Sequence, residues 1–375
     1  MNPLRAALRA VWLQLPESIR HLGPAQALKN ALRGPAAQGG GPADRPGGSP
    51  DQSRGPADQP APDPVRVITS LRELDEALRE LDRLASISDD AIRAGFTRFR
   101  MQVAADLPSD PDSEEYRARQ FALYEHLAGK PYAPSNEVSA FEPLAAAARP
   151  FPYQTGSAAT VGDQLIAIGF LIRQMNLPPN SSVLEFGPGW GNTTLALAKM
   201  GHRVTAVDIE SNFVTLINER ARREGVTIEA VHGDFSIIER LDRQFHTVLF
   251  FESFHHCAHH QALIASLARV VAPGGQIVFA GEPIYPWFPQ PWGLRLDGES
   301  LWQIRRQGWL ELGFSEEYFV GLLRSHGWQV TRRVCGDLAG AHAGWGTVFL
   351  GVRPGSDEGQ TRVKPGSNGG QTPGS

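Results

Sequence analysis

Val183-Leu184-Glu185-Phe186-Gly187-Pro188-Gly189-Trp190-Gly191-Asn192, followed by Thr193 to Met200 and then by Arg203-Val204-Thr205-Ala206-Val207-Asp208-Ile209, decides the fold of this 375-residue chain. A short apolar run stops at alternating glycines, a helical stretch follows, and a second apolar run ends on an acid, which reads as a strand, turn, helix and strand. Glycines at 187, 189 and 191 remove Cβ atoms from a tight turn. Free N–H groups at the helix start then favour a carboxylate or phosphate. Asp208, about 20 residues after the turn, is placed to accept both hydroxyls of a ribose.

Outward from this unit the rhythm repeats, with short apolar runs at Ser182–Phe186, Arg203–Val207, Thr227–Ala230, Thr247–Phe251 and Gln276–Ala280 alternating with helical stretches. The expected fold is α/β, a doubly wound, Rossmann-like, mostly parallel sheet. Gln329 to Val334 and Thr347 to Val352 are expected to add a C-terminal antiparallel hairpin at its edge. A helical N-terminal segment precedes the sheet. Leu71, Leu74, Leu78, Leu81 and Leu84 fall on one helical face, a second helix spans Glu114 to Ala128 before Gly129 and Pro131, and a third spans Val161 to Met175 before Leu177-Pro178-Pro179.

Composition divides the chain further. Residues 1–64 read as a flexible basic leader and a Pro/Gly-rich disordered linker, 65–150 as a helical N-terminal cap, 151–353 as the α/β domain, and 354–375 as a disordered tail. The formal net charge of -4 and pI near 6.3 provide no basic field, so nucleic acid is not an expected partner. Two cysteines, Cys257 and Cys335, without CxxC spacing point to a reducing, cytoplasmic setting. No apolar run approaches the roughly 18–20 residues of a membrane span. Arg5 and Arg9 precede the short apolar stretch Ala10 to Leu15, but no A-x-A-like site follows as in a secretory leader. Met1 to Arg33 is basic with scattered Leu, Val and Trp, which suits either a loosely ordered leader or weak contact with a membrane surface. Oligomeric state is left open.

Glu185, Gly187, Gly189 and Gly191 with Asp208 resemble the first motif, E/D-x-G-x-G-x-G, and the acidic second strand end of class I S-adenosylmethionine-dependent methyltransferases. His232-Gly233-Asp234-Phe235 looks like that family's adenine-contacting loop, and Ala272-Pro273-Gly274-Gly275 like its P-G-G turn before strand five. The resemblance covers roughly Phe151 to Arg353. It implies S-adenosyl-L-methionine as cofactor, with Asp208 on the ribose, Asp234 on the adenine amino group, and Tyr153, Gly156, Ile209 and Phe235 as further contacts. The competing ligand, NAD, calls for G-x-G-x-x-G, whose third glycine falls at position 192, occupied by Asn192.

The fourth strand runs into Glu252-Ser253-Phe254-His255-His256-Cys257-Ala258-His259-His260, at the carboxyl edge where doubly wound sheets bind ligands. Adjacent residues cannot all face one ion and no spaced partner pair stands out, so no metal is expected. His255 and His256 resemble the His-His pair found at this point in many small-molecule methyltransferases. Glu252, His255 and His256 are the catalytic candidates; Glu252 or His255 is expected to take the proton of an acceptor hydroxyl, with Glu252 also near the cofactor. Helix capping or pocket lining is the plainer alternative.

On the acceptor side, Gly281 to Gly327 mixes aromatics with charges, and Glu282, Trp292, Arg295 and Trp309 are the candidates for substrate binding. Packing of those aromatics into a core stands beside that reading. Similarity to bacterial glycan and secondary-metabolite methyltransferases points to a small-molecule or glycan acceptor, chiefly O-methylation of a sugar or glycolipid precursor. A quinone or polyketide-like acceptor, and a non-catalytic S-adenosylmethionine-binding sensor or scaffold, are the alternatives.

Overall fold

The computed structural model describes residues 65–103, 106–139, 141–149, 155, 157–338 and 344–353. The leader and linker before 65, the tail after 353, Tyr153 and Gly156 lie outside the described residues. Among those described, no helix is long and apolar enough to cross a membrane.

The seven-stranded central sheet is built from β3 (Ser182–Phe186), β4 (Arg203–Asp208), β5 (Ile228–His232), β6 (Phe245–Phe251), β7 (Val271–Ala280), β11 (Gln329–Val334) and β12 (Thr347–Val352). Its order is β11-β12-β7-β6-β3-β4-β5. The five strands from β5 to β7 are parallel, while β12 runs antiparallel to both β7 and β11. The Rossmann-like, mostly parallel sheet with its C-terminal hairpin is therefore the observed fold. Phe186, Phe250 and Phe279 share one register across β3, β6 and β7, and their rings stack at 5.4 and 4.9 Å with planes 7° apart. All three are fully buried, each contributing about 1.5–3 kcal/mol of hydrophobic stabilisation.

One expected turn differs in detail. Ala272-Pro273-Gly274-Gly275 does not precede strand five but bulges within β7, since Phe245 pairs with Val271 and Thr247 next pairs with Gln276. A Cβ at Gly275 would lie 2.8 Å from the His246 carbonyl oxygen, so the bulge seats directly on β6.

Before the sheet come β1 (Arg66–Ile68), α1 (Leu71–Ala85), α2 (Asp89–Phe96), β2 (Phe99–Met101), α3 (Glu114–Ala128), the short α4 (Pro143–Ala147) and α5 (Ala158–Met175). Ser70 opens α1 by accepting the Glu73 N–H, while Glu73 reaches back to the Thr69 N–H at 2.9 Å, a reciprocal cap. The leucine stripe of α1 is buried from Leu74 to Leu84. Gly129, at φ 74°, ends α3 in the left-handed conformation that glycine adopts without strain. The β1–β2 parallel pair had no signal in the sequence, being only three residues long on each side.

The segment after β7 folds into β8 (Ile284–Tyr285), β9 (Trp292–Leu294), α9 (Gly298–Arg306), β10 (Leu312–Ser315) and α10 (Glu316–Ser325), with the three strands ordered β8-β10-β9. Between β3 and β4 lies α6 (Asn192–Lys199), between β4 and β5 α7 (Ser211–Glu224), and between β6 and β7 α8 (His260–Val270). The N-terminal helices dock on the later insertion. Tyr116 donates its hydroxyl to the Trp292 carbonyl at 2.7 Å, and Gln120 Oε1 accepts the Leu294 N–H. Asp82 receives Trp302 Nε1 at 3.1 Å and Arg306 Nη2 at 2.6 Å, and Asp75 receives Arg305 Nε at 3.2 Å.

This docking yields a prediction. Asp82→Ala leaves the buried Trp302 N–H unpaired and should cost about 1–2 kcal/mol in denaturant unfolding. Amide exchange should accelerate in α1 and α9 while β3, β6 and β7 stay protected; uniform or unchanged exchange would contradict the docking role.

Candidate active site

The carboxyl ends of β3, β4 and β5 are stitched together by backbone: Gly187 N–H donates to Val207 O and Gly233 N–H to Asp208 O, both at 2.9 Å. Gly187 (φ 62°) leaves room for the turn that follows β6, because a Cβ there would lie 2.5 Å from Ser253 Cβ. Gly191 (φ 73°) does the same for α7, with Ile217 Cγ1 at 2.7 Å from its Cβ position. At Gly189 (φ 50°) the Cβ position faces open space. The three glycine N–H groups are all engaged within the protein, that of Gly189 by Asp208 Oδ2 at 3.0 Å. The groups left for a ligand are instead those of the first turn of α6, which Gly191 opens without a side-chain cap.

Asp208 is 5% exposed and also accepts the Glu210 N–H at 2.8 Å on Oδ1. Each carboxylate oxygen so holds one internal bond and keeps a further lone pair. Burial pushes the group up to about 6, against the pull of these N–H donors. Glu185 lies beneath the turn, accepting the Thr194 hydroxyl at 2.5 Å, with burial raising it to about 7; it ties β3 to α6. The Ile209 carbonyl lies 3.0 Å from His232 Nε2, Asp234 Oδ1 caps the next turn through the Ser236 N–H at 2.8 Å, and Phe235 packs on Phe186 at 5.5 Å.

Beyond β6 the chain turns sharply. Glu252 adopts φ 52°, a left-handed conformation rare outside glycine, and its N–H remains bonded to Ala280 O at 3.0 Å. Its carboxyl accepts Trp345 Nε1, and burial, more than that bond can offset, pushes it up to about 8. The shift favours the protonated carboxyl near neutral pH, so as a base Glu252 would act only once that proton is released.

Glu282, with a side chain 1% exposed, gathers the turn. Its Oε1 accepts the N–H groups of Ser253 and Phe254 at 2.8 Å each; its Oε2 accepts the His255 N–H at 3.1 Å and faces His255 Nδ1 at 2.8 Å. Burial opposes ionisation, but the His255 imidazole and these N–H donors hold the carboxyl below its usual value. The proton on His255 therefore sits at Nδ1, leaving Nε2 with a lone pair 3.8 Å from Glu311 Oε2. Burial, with charged His256 beside it, pushes His255 down to about 4. His256 goes the other way, up to about 9: burial opposes its charge, but Glu137, 3.3 Å from Nδ1, together with Glu311 and Glu282, prevails. Glu311 is pushed up to about 7 by burial, which outweighs His256 and Arg295.

The four histidines of the motif divide by environment. His255 and His256 face Glu311; His260 is fully buried with its ring edge against Trp292 and Phe314, and His259 is exposed. Cys257 is a buried thiol raised to about 12 by its apolar surroundings. Among the acceptor-side candidates, Trp292 is fully buried, donates Nε1 to Pro111 O at 2.7 Å and belongs to the core, a correction. Glu282 anchors the turn and His255 rather than presenting a carboxylate to substrate. Arg295 pairs with Asp297 at 3.1 Å and Glu311 at 3.3 Å, while Trp309 sets its ring edge-on to His256 with Nε1 buried and unbonded. Glu137 and Glu311 were missed as site residues. Glu311 stands two residues after Trp309 in the same insertion, but Glu137 lies in a Pro-rich connection with no pattern to mark it.

Residues 183–275 match the family model described as a methyltransferase domain. The chain is 32% identical over 111 residues to an S-adenosyl-L-methionine-dependent Diels-Alderase of Neonectria sp. (strain DH2), a stretch covering 29% of this chain and 41% of that protein. It is 26% identical over 107 residues to the demethylmenaquinone methyltransferase of Tropheryma whipplei (strain Twist), covering 28% and 44%. It is 26% identical over 115 residues to a ubiquinone biosynthesis O-methyltransferase of Coxiella burnetii (strain Dugway 5J108-111), covering 31% and 49%. The chain thus matches less than half the length of each of these relatives. The family match contains the glycine turn, Asp208, His255 and His256, and it stops before Glu282 and Glu311.

Glu282→Gln removes one hydrogen-bond acceptor and a buried charge, and should destabilise the fold by about 3 kcal/mol. Because the folded carboxyl lies below its unfolded value, this contribution is full above about pH 4.5 and is lost as pH falls through the lowered value. Denaturant midpoints of the two proteins should accordingly converge in acid; a constant gap across pH would contradict the ionised assignment.

Proposed function

We propose that the chain is an S-adenosylmethionine-dependent methyltransferase acting on a hydroxyl oxygen of a sugar, glycan or glycolipid precursor. The observation that carries the cofactor is the Gly189–Asp208 lock, an acid with lone pairs to spare beside an open glycine and an uncapped helix start, within the segment that matches a methyltransferase domain. When bound, the cofactor supplies an electrophilic methyl group. Asp208 would take the ribose hydroxyls, the first turn of α6 the carboxylate, and the Asp234–Phe235 turn, with Ile209, the adenine.

The acceptor oxygen would be activated at the cluster of His255, His256 and Glu311, not at Glu252. Glu185 stays below the site as a brace, and Trp309 and Arg295 form walls of the acceptor side. The unbonded Trp309 N–H and the lone pair of His255 Nε2 favour an acceptor that offers hydroxyls to them. The names of two relatives support a quinone acceptor as second reading. The Diels-Alderase name belongs to a protein whose dependence on S-adenosyl-L-methionine is not described as methyl transfer, so cofactor binding and turnover need separate measurement.

Calorimetry with S-adenosylmethionine should show binding that Asp208→Ala weakens by about 10–100-fold, and that weakens in the wild type as pH falls through about 6. Unaltered affinity in Asp208→Ala would overturn the cofactor assignment. Labelled methyl offered to arrays of sugars and phenols should appear on a sugar hydroxyl; label on quinols selects the second reading, and bound cofactor without transfer makes the chain a binding module. His255→Ala should lower turnover by about 10²-fold or more, and Glu252→Gln by less than about tenfold at neutral pH.

A further inference from the structure

We propose that His255, His256 and Glu311 form a binding site for one borderline divalent transition-metal ion of the zinc, cobalt or iron(II) class, with Glu282 and Glu137 orienting the two imidazoles. One nitrogen from each ring and one carboxylate oxygen of Glu311 all lie within 4.8 Å of one another. Metal–ligand bonds of about 2.0–2.2 Å would draw this set closer by roughly 1 Å on binding. Two imidazoles and a carboxylate, with positions left for water or substrate, are the donor set of catalytic zinc and of open iron(II) sites. Hard ions such as magnesium and calcium prefer oxygen ligands and fit less well.

The surroundings strengthen the case. A ligating histidine commonly donates its second N–H to a carboxylate, which fixes the ring and raises its basicity. His255 has such a partner in Glu282, 2.8 Å from Nδ1, and His256 Nδ1 lies 3.3 Å from Glu137 Oε2, at ion-pair distance without a formed hydrogen bond. Glu137 is itself held, its Oε1 accepting the Leu310 N–H at 2.9 Å, one residue before Glu311. The adjacency of His255 and His256 does not prevent a shared ion, because the short turn at Phe254–His256 brings both rings to the same side, with centroids 4.2 Å apart and planes at 39°. Three buried carboxylates, Glu137, Glu282 and Glu311, meet here, with Arg295 as the fixed cation on Glu311.

Metal uptake does not depend on the proposed methyl transfer. Its role does rest on that reading: the open positions would hold an acceptor hydroxyl at the carboxyl end of β6, where the ion lowers the hydroxyl's pKa. The metal-stripped full-length protein, titrated with Co(II) and then competed with Zn(II), should bind one equivalent with the visible bands of a nitrogen- and oxygen-ligated ion. Glu282→Gln should weaken binding by about 10–100-fold, and Glu311→Gln and His256→Gln by more, while His259→Gln, at the exposed histidine, should leave it unchanged. S-adenosylhomocysteine affinity, measured on each variant, reports whether the fold survives. In the wild type loaded with Cu(II), pulsed electron paramagnetic resonance should show two coupled imidazole nitrogens. Absence of stoichiometric cobalt binding, one or no coupled imidazole, or affinity unmoved by Glu311→Gln would overturn the site. Cobalt binding in a protein that takes no S-adenosylhomocysteine would leave the metal site standing and remove the cofactor reading.

Discussion

The buried carboxylate of Glu282 holds the acceptor side together. It stands just past the end of β7 and accepts three consecutive backbone N–H groups of the turn that leaves β6, along with the Nδ1 proton of His255. Those N–H groups lie in a buried corner where an unmet donor costs on the order of 1–3 kcal/mol. With them met, the strained entry at Glu252 is tolerated, Ser253 reaches Phe186 O at 2.8 Å, and the imidazole of His255 is fixed in one tautomer. One acid therefore sets both the path of the backbone and the direction of the lone pair that faces Glu311.

The two sides of the site have different origins in the chain. The cofactor side is local, a turn and two strand ends within the matched methyltransferase segment, locked by backbone bonds that depend on glycine at 187 and 191. The acceptor side is assembled from afar: Glu137 comes from the N-terminal region, His255 and His256 from the end of β6, and Glu282 and Glu311 from the insertion after β7. Glu137 is tied to the insertion by the Leu310 N–H at 2.9 Å and lies 3.3 Å from His256. This division explains why a family match limited to 183–275 speaks to the cofactor and leaves the acceptor to be argued from charge and burial.

Much of the sheet was legible because its strands are short apolar runs bounded by glycine and acid, and the β11–β12 hairpin pairs the two runs Gln329–Val334 and Thr347–Val352 expected at its edge. The end of α3 was marked by Gly129, whose backbone freedom caps a helix in any context, and its start is held by Ser113, which accepts the Tyr116 N–H. The roles of Trp292 and Glu282 were not legible, since burial depends on which distant helix covers a residue, and both are covered by elements far away in sequence. Glu252 shows the same limit: its left-handed backbone and its bond to Trp345 are set by tertiary packing that no local pattern marks. The cluster escaped a reading of spacing because Glu311 stands 55 residues after His256 and is joined to the two histidines only by tertiary packing.

The most direct measurement is a crystal structure of the protein with S-adenosylhomocysteine. The account predicts the ribose hydroxyls on Asp208, the carboxylate at the start of α6, and the sulfur aimed across the end of β6 toward His255 Nε2 and Glu311. A ligand seated elsewhere, or one whose sulfur points away from that cluster, would contradict it.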